Sequence, residues 1–236
     1  LGDVFVNKIL IPVLLYWCSS FSLSPYSAVN KSLNEVSIEI KSLNYYAGES
    51  PINFPVIVLN GNEEDFISIE FDIKSESYPN LAIVFRLCNK NWQPIQNQFL
   101  ENRGKNMAYN LSLDYLPVSV NEANYHFKGK FPDSDGFITF PFSGKWMFYI
   151  TQYEDTSKVF ATGKFFVVEQ IVDIKTKVTE EILSDPSLTL NQLGKTINLE
   201  SKIKLSDDLF PNQLTQLEII ENWKIEYPYI LLKETG

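Results

Sequence analysis

The chain has one histidine and two cysteines in 236 residues, a scarcity that removes several kinds of chemistry at once. A Ser–His–Asp relay would have to run through His126, which lies between Tyr125 and Phe127 inside a strand pattern, a place that does not favour a poised base. Zinc needs several Cys or His ligands at close spacing, and this composition cannot supply them. Cys88, with no second histidine to activate it, reads as a small buried or half-buried thiol. There is no glycine-rich phosphate loop, no nucleophile elbow and no dinucleotide fingerprint, so nothing asks for a cofactor. Basic residues are also few: 20 Lys and Arg against 29 Asp and Glu give a net charge of -9, which argues against a nucleic-acid partner.

Acidic residues are plentiful but unorganised. Asp133, Ser134, Asp135 and Gly136 resemble part of a calcium loop but lack its further oxygen ligands and closing Glu, and they read as an ordinary turn. Glu63, Glu64 and Asp65 read as a solvated turn. A carboxylate pair for glycoside hydrolysis would have to be assembled from separate strands, and no pair stands out.

Long hydrophobic runs are missing too. The run from Ile9 to Cys18 is short of the roughly 20 apolar residues that span a bilayer. With Lys8 before it and Ser19, Ser20, Ser22, Ser24 and Ala28 after it, residues 1–28 read as an export signal. Tyr16 and Trp17 are bulky where a lipoprotein signal wants small residues before its cysteine, so Cys18 is not taken as a lipid anchor. Removal of the signal would leave Cys88 as the single cysteine, with no internal disulfide.

What the chain does have is apolar and aromatic material in strand patterns: 44% hydrophobic residues, including 17 Phe and 12 Tyr. Val36, Ile38 and Ile40 alternate with polar residues; Phe54 to Leu59 follow, with Pro55 suggesting an edge; Asn60 and Gly61 mark a turn. Ile67, Ile69, Phe71 and Ile73 alternate with Ser68, Glu70 and Asp72, the period of a strand with one face in a core. Leu81 to Leu87 are apolar on both faces, as in a central strand. Further strands are expected at Tyr109–Leu113, at Tyr125–Phe131 with His126 on the outer face, at Lys145–Tyr153 with Trp146 in the core, and at Val159–Val168. Short strands at turn-punctuated intervals predict an all-β, antiparallel immunoglobulin-like β-sandwich over residues 30–169. Alternation resumes at Val172–Val178, Thr196–Leu205 and Leu214–Ile220, interrupted by Pro186, Asp207, Asp208 and Pro211. Residues 170–236 therefore read as the start of a second β-domain, cut short, or as an extension packing on the first.

One loop is unusual. The strand ending at Leu87 leaves through Cys88, Asn89, Lys90, Asn91, Trp92, Gln93 and Pro94, a tryptophan set among amides. Loops concentrate binding residues, and Trp92 is either a surface contact or a plug closing the end of the sandwich.

The order of segments FPVIVLN, FDI, LCNKNWQP, FKGKFP, FPFSGKWMFYI and GKFFVVE, from Phe54 to Glu169, resembles the N-terminal region of the type IX secretion system plug proteins of the Bacteroidetes and their relatives. Cys88, Asn91, Trp92 and Pro94 stand at the family's Cys–Trp–Pro strand exit, and Ser143 and Gly144 at its serine–glycine turn. The chain departs where it has Leu87 in place of a histidine before the cysteine, and family members usually continue further. The resemblance implies a non-enzymatic, periplasmic protein, peripheral to the outer membrane, that occupies the periplasmic mouth of a large outer-membrane β-barrel translocon. It implies no metal, no nucleic acid and no small-molecule substrate, and makes Cys88, Asn91, Trp92, Pro94, Ser143 and Gly144 candidate partner contacts. The alternative reading is an exported carbohydrate-binding or adhesin-like sandwich that uses Trp92 as a stacking surface.

Overall fold

The computed structural model describes residues 37–97, 103–183, 194–206 and 209–232; the signal reading for 1–28 with Cys18, and Val36, Pro186, Asp207 and Asp208, lie outside the described residues. Nine strands make up the first part: β1 (Ile38–Ala47), β2 (Val56–Val58), β3 (Ile67–Ser75), β4 (Leu81–Cys88), β5 (Met107–Ala108), β6 (Asp114–Tyr115), β7 (Tyr125–Phe131), β8 (Gly144–Gln152) and β9 (Val159–Val168). They form a four-stranded sheet in the order β1-β3-β7-β6 and a five-stranded sheet in the order β2-β9-β8-β4-β5. Hydrophobic residues from both sheets share one buried cluster, so the sheets face each other as a sandwich. The strand order agrees with an immunoglobulin-type arrangement.

Period-two alternation decides which face goes inside. In β3 the residues Ile67, Ile69, Phe71 and Ile73 are fully buried, while Glu70 and Asp72 pair across the outer face with Lys128 and His126 of β7. β4 is apolar on both faces for a reason the order of strands makes plain. Leu81, Ile83 and Phe85 enter the shared core, and Ala82 and Val84 are covered on the outer face by Met107 and Tyr149. Trp146 is buried, with its indole N–H donating to the Phe142 carbonyl at 3.1 Å.

Two expectations need correction, and a third, the start of the first strand, falls partly outside the described residues. The segment Tyr109–Leu113 is a connection; the pairing residues flank it, in β5 and β6, because only there does the chain run beside β4 and β7. The Phe54–Leu59 strand shortens to β2, and it pairs with β9 in parallel, the exception in an otherwise antiparallel fold. The first strand starts, within the described residues, at Ile38.

Past β9 the chain enters a long hairpin of β10 (Val172–Leu183) and β11 (Gly194–Leu205), paired throughout from Val172↔Leu205 to Leu183↔Gly194. At about 3.4 Å per residue, twelve residues make an arm roughly 40 Å long. One face carries Val172, Ile174 and Val178 beside Leu205, Ile203 and Leu199, and Ile174 and Val178 are exposed. A single turn of 3-10 helix at Pro211–Gln213 precedes β12 (Gln216–Ile219) and β13 (Tyr229–Leu232), which pair with each other.

Large core rings require space elsewhere. Gly163 of β9 lies opposite Phe148, and a Cβ there would come within 2.3 Å of that buried ring and 3.0 Å of Tyr45. Gly163→Ala is expected to destabilise the fold by about 1–3 kcal/mol, read as a lower denaturation midpoint with unchanged slope. An unchanged midpoint would show that the Phe148 ring moves freely.

Candidate functional site

The strand exit after β4 is held by its own amides. Asn89 Oδ1 accepts from the backbone N–H groups of Asn91 (2.9 Å) and Gln93 (3.1 Å); Asn89 N–H donates to the Gln93 carbonyl at 2.9 Å, and Trp92 N–H to the Asn89 carbonyl at 3.0 Å. The return strand is resumed by a bridge between Cys88 and Pro94 and by Ile95 N–H donating to the Leu87 carbonyl at 2.9 Å. This network holds Trp92 at φ 61°, a left-handed conformation unusual for a bulky side chain.

The ring that results lies back over the outer face of the five-stranded sheet. Cys88, Lys145 and Phe166 stand side by side across β4, β8 and β9, and Trp92 meets the edge of Phe166 with ring centroids 5.2 Å apart. The ammonium groups of Lys145 and Lys164 lie 5.2 and 5.1 Å from its centroid, close enough for cation–π attraction. Both lysines are also tied to the far part of the chain. Lys145 donates to the Lys90 carbonyl at 2.8 Å and to Glu218 of β12 at 2.9 Å, and Lys164 donates to Glu226 at 2.6 Å. Phe54 stacks on Phe166 at 5.9 Å and meets Trp223 at 5.4 Å. Trp92 is thus the centre of a clamp that fastens residues 216–226 to the sandwich.

The other predicted residues gather at this same end, where β4 finishes and β8 begins. Cys88 is a free, buried thiol; burial pushes it above its ordinary pKa, against smaller opposing effects of a Met147 backbone hydrogen bond and the Lys164 charge. Ser143 donates to Glu169 at 2.6 Å. Gly144 has φ 144°, and a Cβ there would lie 3.1 Å from Leu87, so the turn needs glycine for two reasons. Asn91 and Pro94 are exposed at the tip of the loop. The sequence reading missed Lys145, Lys164, Phe166, Glu218, Glu226 and Trp223. Their one local signal is the outward phase of 145, 164 and 166 in their strands, which says that they leave the core but not what they meet.

Other candidate residues lie away from this clamp. His126 lies on the outer face with Nδ1 2.8 Å from Asp72 and Nε2 3.5 Å from Glu70. In the Asp133–Gly136 turn the Asp133 carboxylate accepts the backbone N–H groups of Phe137, at 3.2 Å, and of Ile138, which occupies the oxygens a cation would have used. Among the described residues, no group of three or more His, Cys, Asp and Glu side chains is placed to hold a metal ion, and no helix is long and apolar enough to cross a membrane.

These features define an all-β sandwich whose distinctive loop serves to anchor the segment that follows it. The chain belongs to the family described as Type 9 secretion system plug protein 1st domain, whose model matches residues 40–169, from within β1 to just past β9. That is a family of a secretion-system component. The fold is similar to the crystal structure of a hypothetical protein from Parabacteroides merdae ATCC 43184, with a TM-score of 0.58 and 20% identity over 78% of this chain. The matched region spans 44% of that protein's chain. No curated protein matches the sequence.

Two outcomes are expected of the clamp. Trp92→Ala should lower stability by about 1–2 kcal/mol, from two cation–π contacts and one edge contact, seen as a reduced denaturation midpoint; no change would mean that the ring is a bystander. Cys88 should resist alkylation in the native protein at neutral pH and react at once in denaturant, whereas rapid native labelling would contradict its burial.

Proposed function

We propose that this chain is the first part of a non-enzymatic periplasmic plug subunit that seals the periplasmic opening of the outer-membrane translocon barrel in type IX secretion. The observation that carries this reading is the family match across the whole sandwich. A plug acts by shape and interface area; about 1,200–2,000 Å² in total is the usual size of a stable interface. A packed aromatic core suits that work, since a stopper that deforms would leak. Residues 1–28 act as the export signal, and residues 170–236 are the start of a second β-domain or an extension packing on the first, the latter supported by the contacts of Glu218, Trp223 and Glu226 with the sandwich. The runner-up, glycan stacking on Trp92, has less support, because Phe166 and two ammonium groups already engage that ring.

The test uses a tagged copy of the full-length protein in its native cells. Purification from outer membranes should recover a large β-barrel protein, and deletion should admit bulky antibiotics that the intact membrane excludes. Recovery of no barrel, together with unchanged permeability, would falsify the plug reading.

A further inference from the structure

The end of the sandwich away from the clamp is built differently. The inward stripe of β3 runs Ile67, Ile69, Phe71, Ile73 and then Ser75, so a hydroxyl stands where the pattern calls for another hydrophobic residue. Ser75 is 5% exposed, and its Oγ has no hydrogen-bond partner among the described residues. A buried hydroxyl left in that state is costly, and native structures keep few of them. Its backbone N–H is satisfied, donating to Asn124 Oδ1 at 3.1 Å, so the vacancy belongs to the side chain alone.

Ser75 lines a cavity of about 400 Å³ together with Glu76, Tyr115, Val118, Val120 and Asn124. That volume lies within the range of ligand pockets, roughly 300–1,000 Å³. The mouth is apolar and exposed: Val118 is 97% accessible, Tyr115 75% and Tyr78 53%. Tyr78 and Tyr115 both pack on Tyr125, at 5.5 and 5.1 Å. A second ring pair, Tyr109 and Tyr153 at 5.9 Å, joins the same end, because Tyr153 N–H donates to the Asn80 carbonyl at 3.0 Å just before β4. At roughly 200 Å² per fully accessible tyrosine, these four rings offer on the order of 400 Å². This is about half of one side of a standard interface, the size of its central patch.

Charge narrows the choice of partner. No Lys or Arg lines the cavity, so an anionic ligand has nothing to pair with. The surrounding turns carry Glu76, Asp114, Glu122, Glu154 and Asp155 against Lys74 and Lys158, and Lys74 lies 3.8 Å from Glu122. The rim is acidic, which suits a basic partner surface. Val118, Leu116 and Pro117 offer an apolar side chain a place to pack, beside Asn121 and Asn124. Among the described residues, the opposite end is occupied by the clamp and by the start of the arm, and no other segment covers this one.

We infer that this tyrosine-rich end is the surface that docks the translocon. The partner places a segment with flanking Lys or Arg here, with one apolar side chain in the cavity. The inference rests on the plug reading and adds the contact surface to it.

Its test is co-purification of the barrel with full-length tagged variants. Val118→Asp, at a fully exposed position that does not threaten folding, should reduce recovered barrel at least tenfold, about 1.4 kcal/mol. A photo-crosslinking amino acid at position 118 should link to the barrel, while one at position 91, on the clamp loop, should not. If wild type recovers no barrel and deletion leaves permeability unchanged, the plug reading fails. If wild type recovers it and Val118→Asp does so equally, this surface is wrong. Backbone shifts at Ser75 on adding cellobiose, with barrel recovery unaffected by Val118→Asp, would assign the cavity to a glycan and overturn the proposal.

Discussion

The stacking of aromatic rings around Phe85 holds the sandwich together. Phe85 sits near the middle of β4, with centroid distances of 4.9 Å to Phe131 in the facing sheet, 5.3 Å to Phe140, 6.4 Å to Phe148 and 6.2 Å to Phe165. Phe140 comes from an irregular segment and closes the cluster further by contacts with Trp146 and Phe165, at 5.1 and 5.2 Å. Offset and edge-on pairs of this kind add about 0.5–1.5 kcal/mol each to the burial of the rings. They also constrain what surrounds them. Gly163 leaves room for Phe148, and Gly129 for Phe127, since a Cβ at either would overlap a ring. A close-packed interior of this kind has low compressibility and transmits strain.

That rigid body gives the two ends of the sandwich separate tasks. At one end, the exits of β4 and β9 and the entrance of β8 come together. Trp92, Lys145 and Lys164 there convert a surface loop into an attachment point for residues 216–226. The Lys145–Glu218 pair is well shielded, with 13% and 16% of the side chains exposed, and so is screened less by salt than an open ion pair. At the other end, the same strands finish in tyrosines, valines and an unsatisfied serine. Of the residues that carry the family resemblance, Trp92 is engaged by the chain's own Lys145, Lys164 and Phe166, and the docking surface proposed above carries no motif.

The legible strands share one property: each has its alternation imposed by a core on one side. β3, β7 and β9 are of this kind, and the two-faced strands β4 and β8 are recognisable because they are central. β5 and β6 were not legible, since each pairs over two residues and nothing in Tyr109–Leu113 tells the sequence reader which flank will meet a neighbour. The parallel pairing of β2 was hidden for a similar reason: three residues give a pattern but not a direction. Among the candidate residues, the burial of Trp146 and the outward placing of His126 followed from strand phase alone.

The sequence by itself determined that the chain is all-β, that its first part is a sandwich, and which family it belongs to, because alternation, turn residues and motif order are local properties. The tertiary structure decided where Trp92 points and what Ser75 lacks. The first depends on Lys145, Lys164 and Phe166, brought alongside by the registers of three strands, and the second on a cavity enclosed by residues 75 to 125. Contacts between residues so far apart in the chain exist only after the sheets have paired, so no local pattern could announce them.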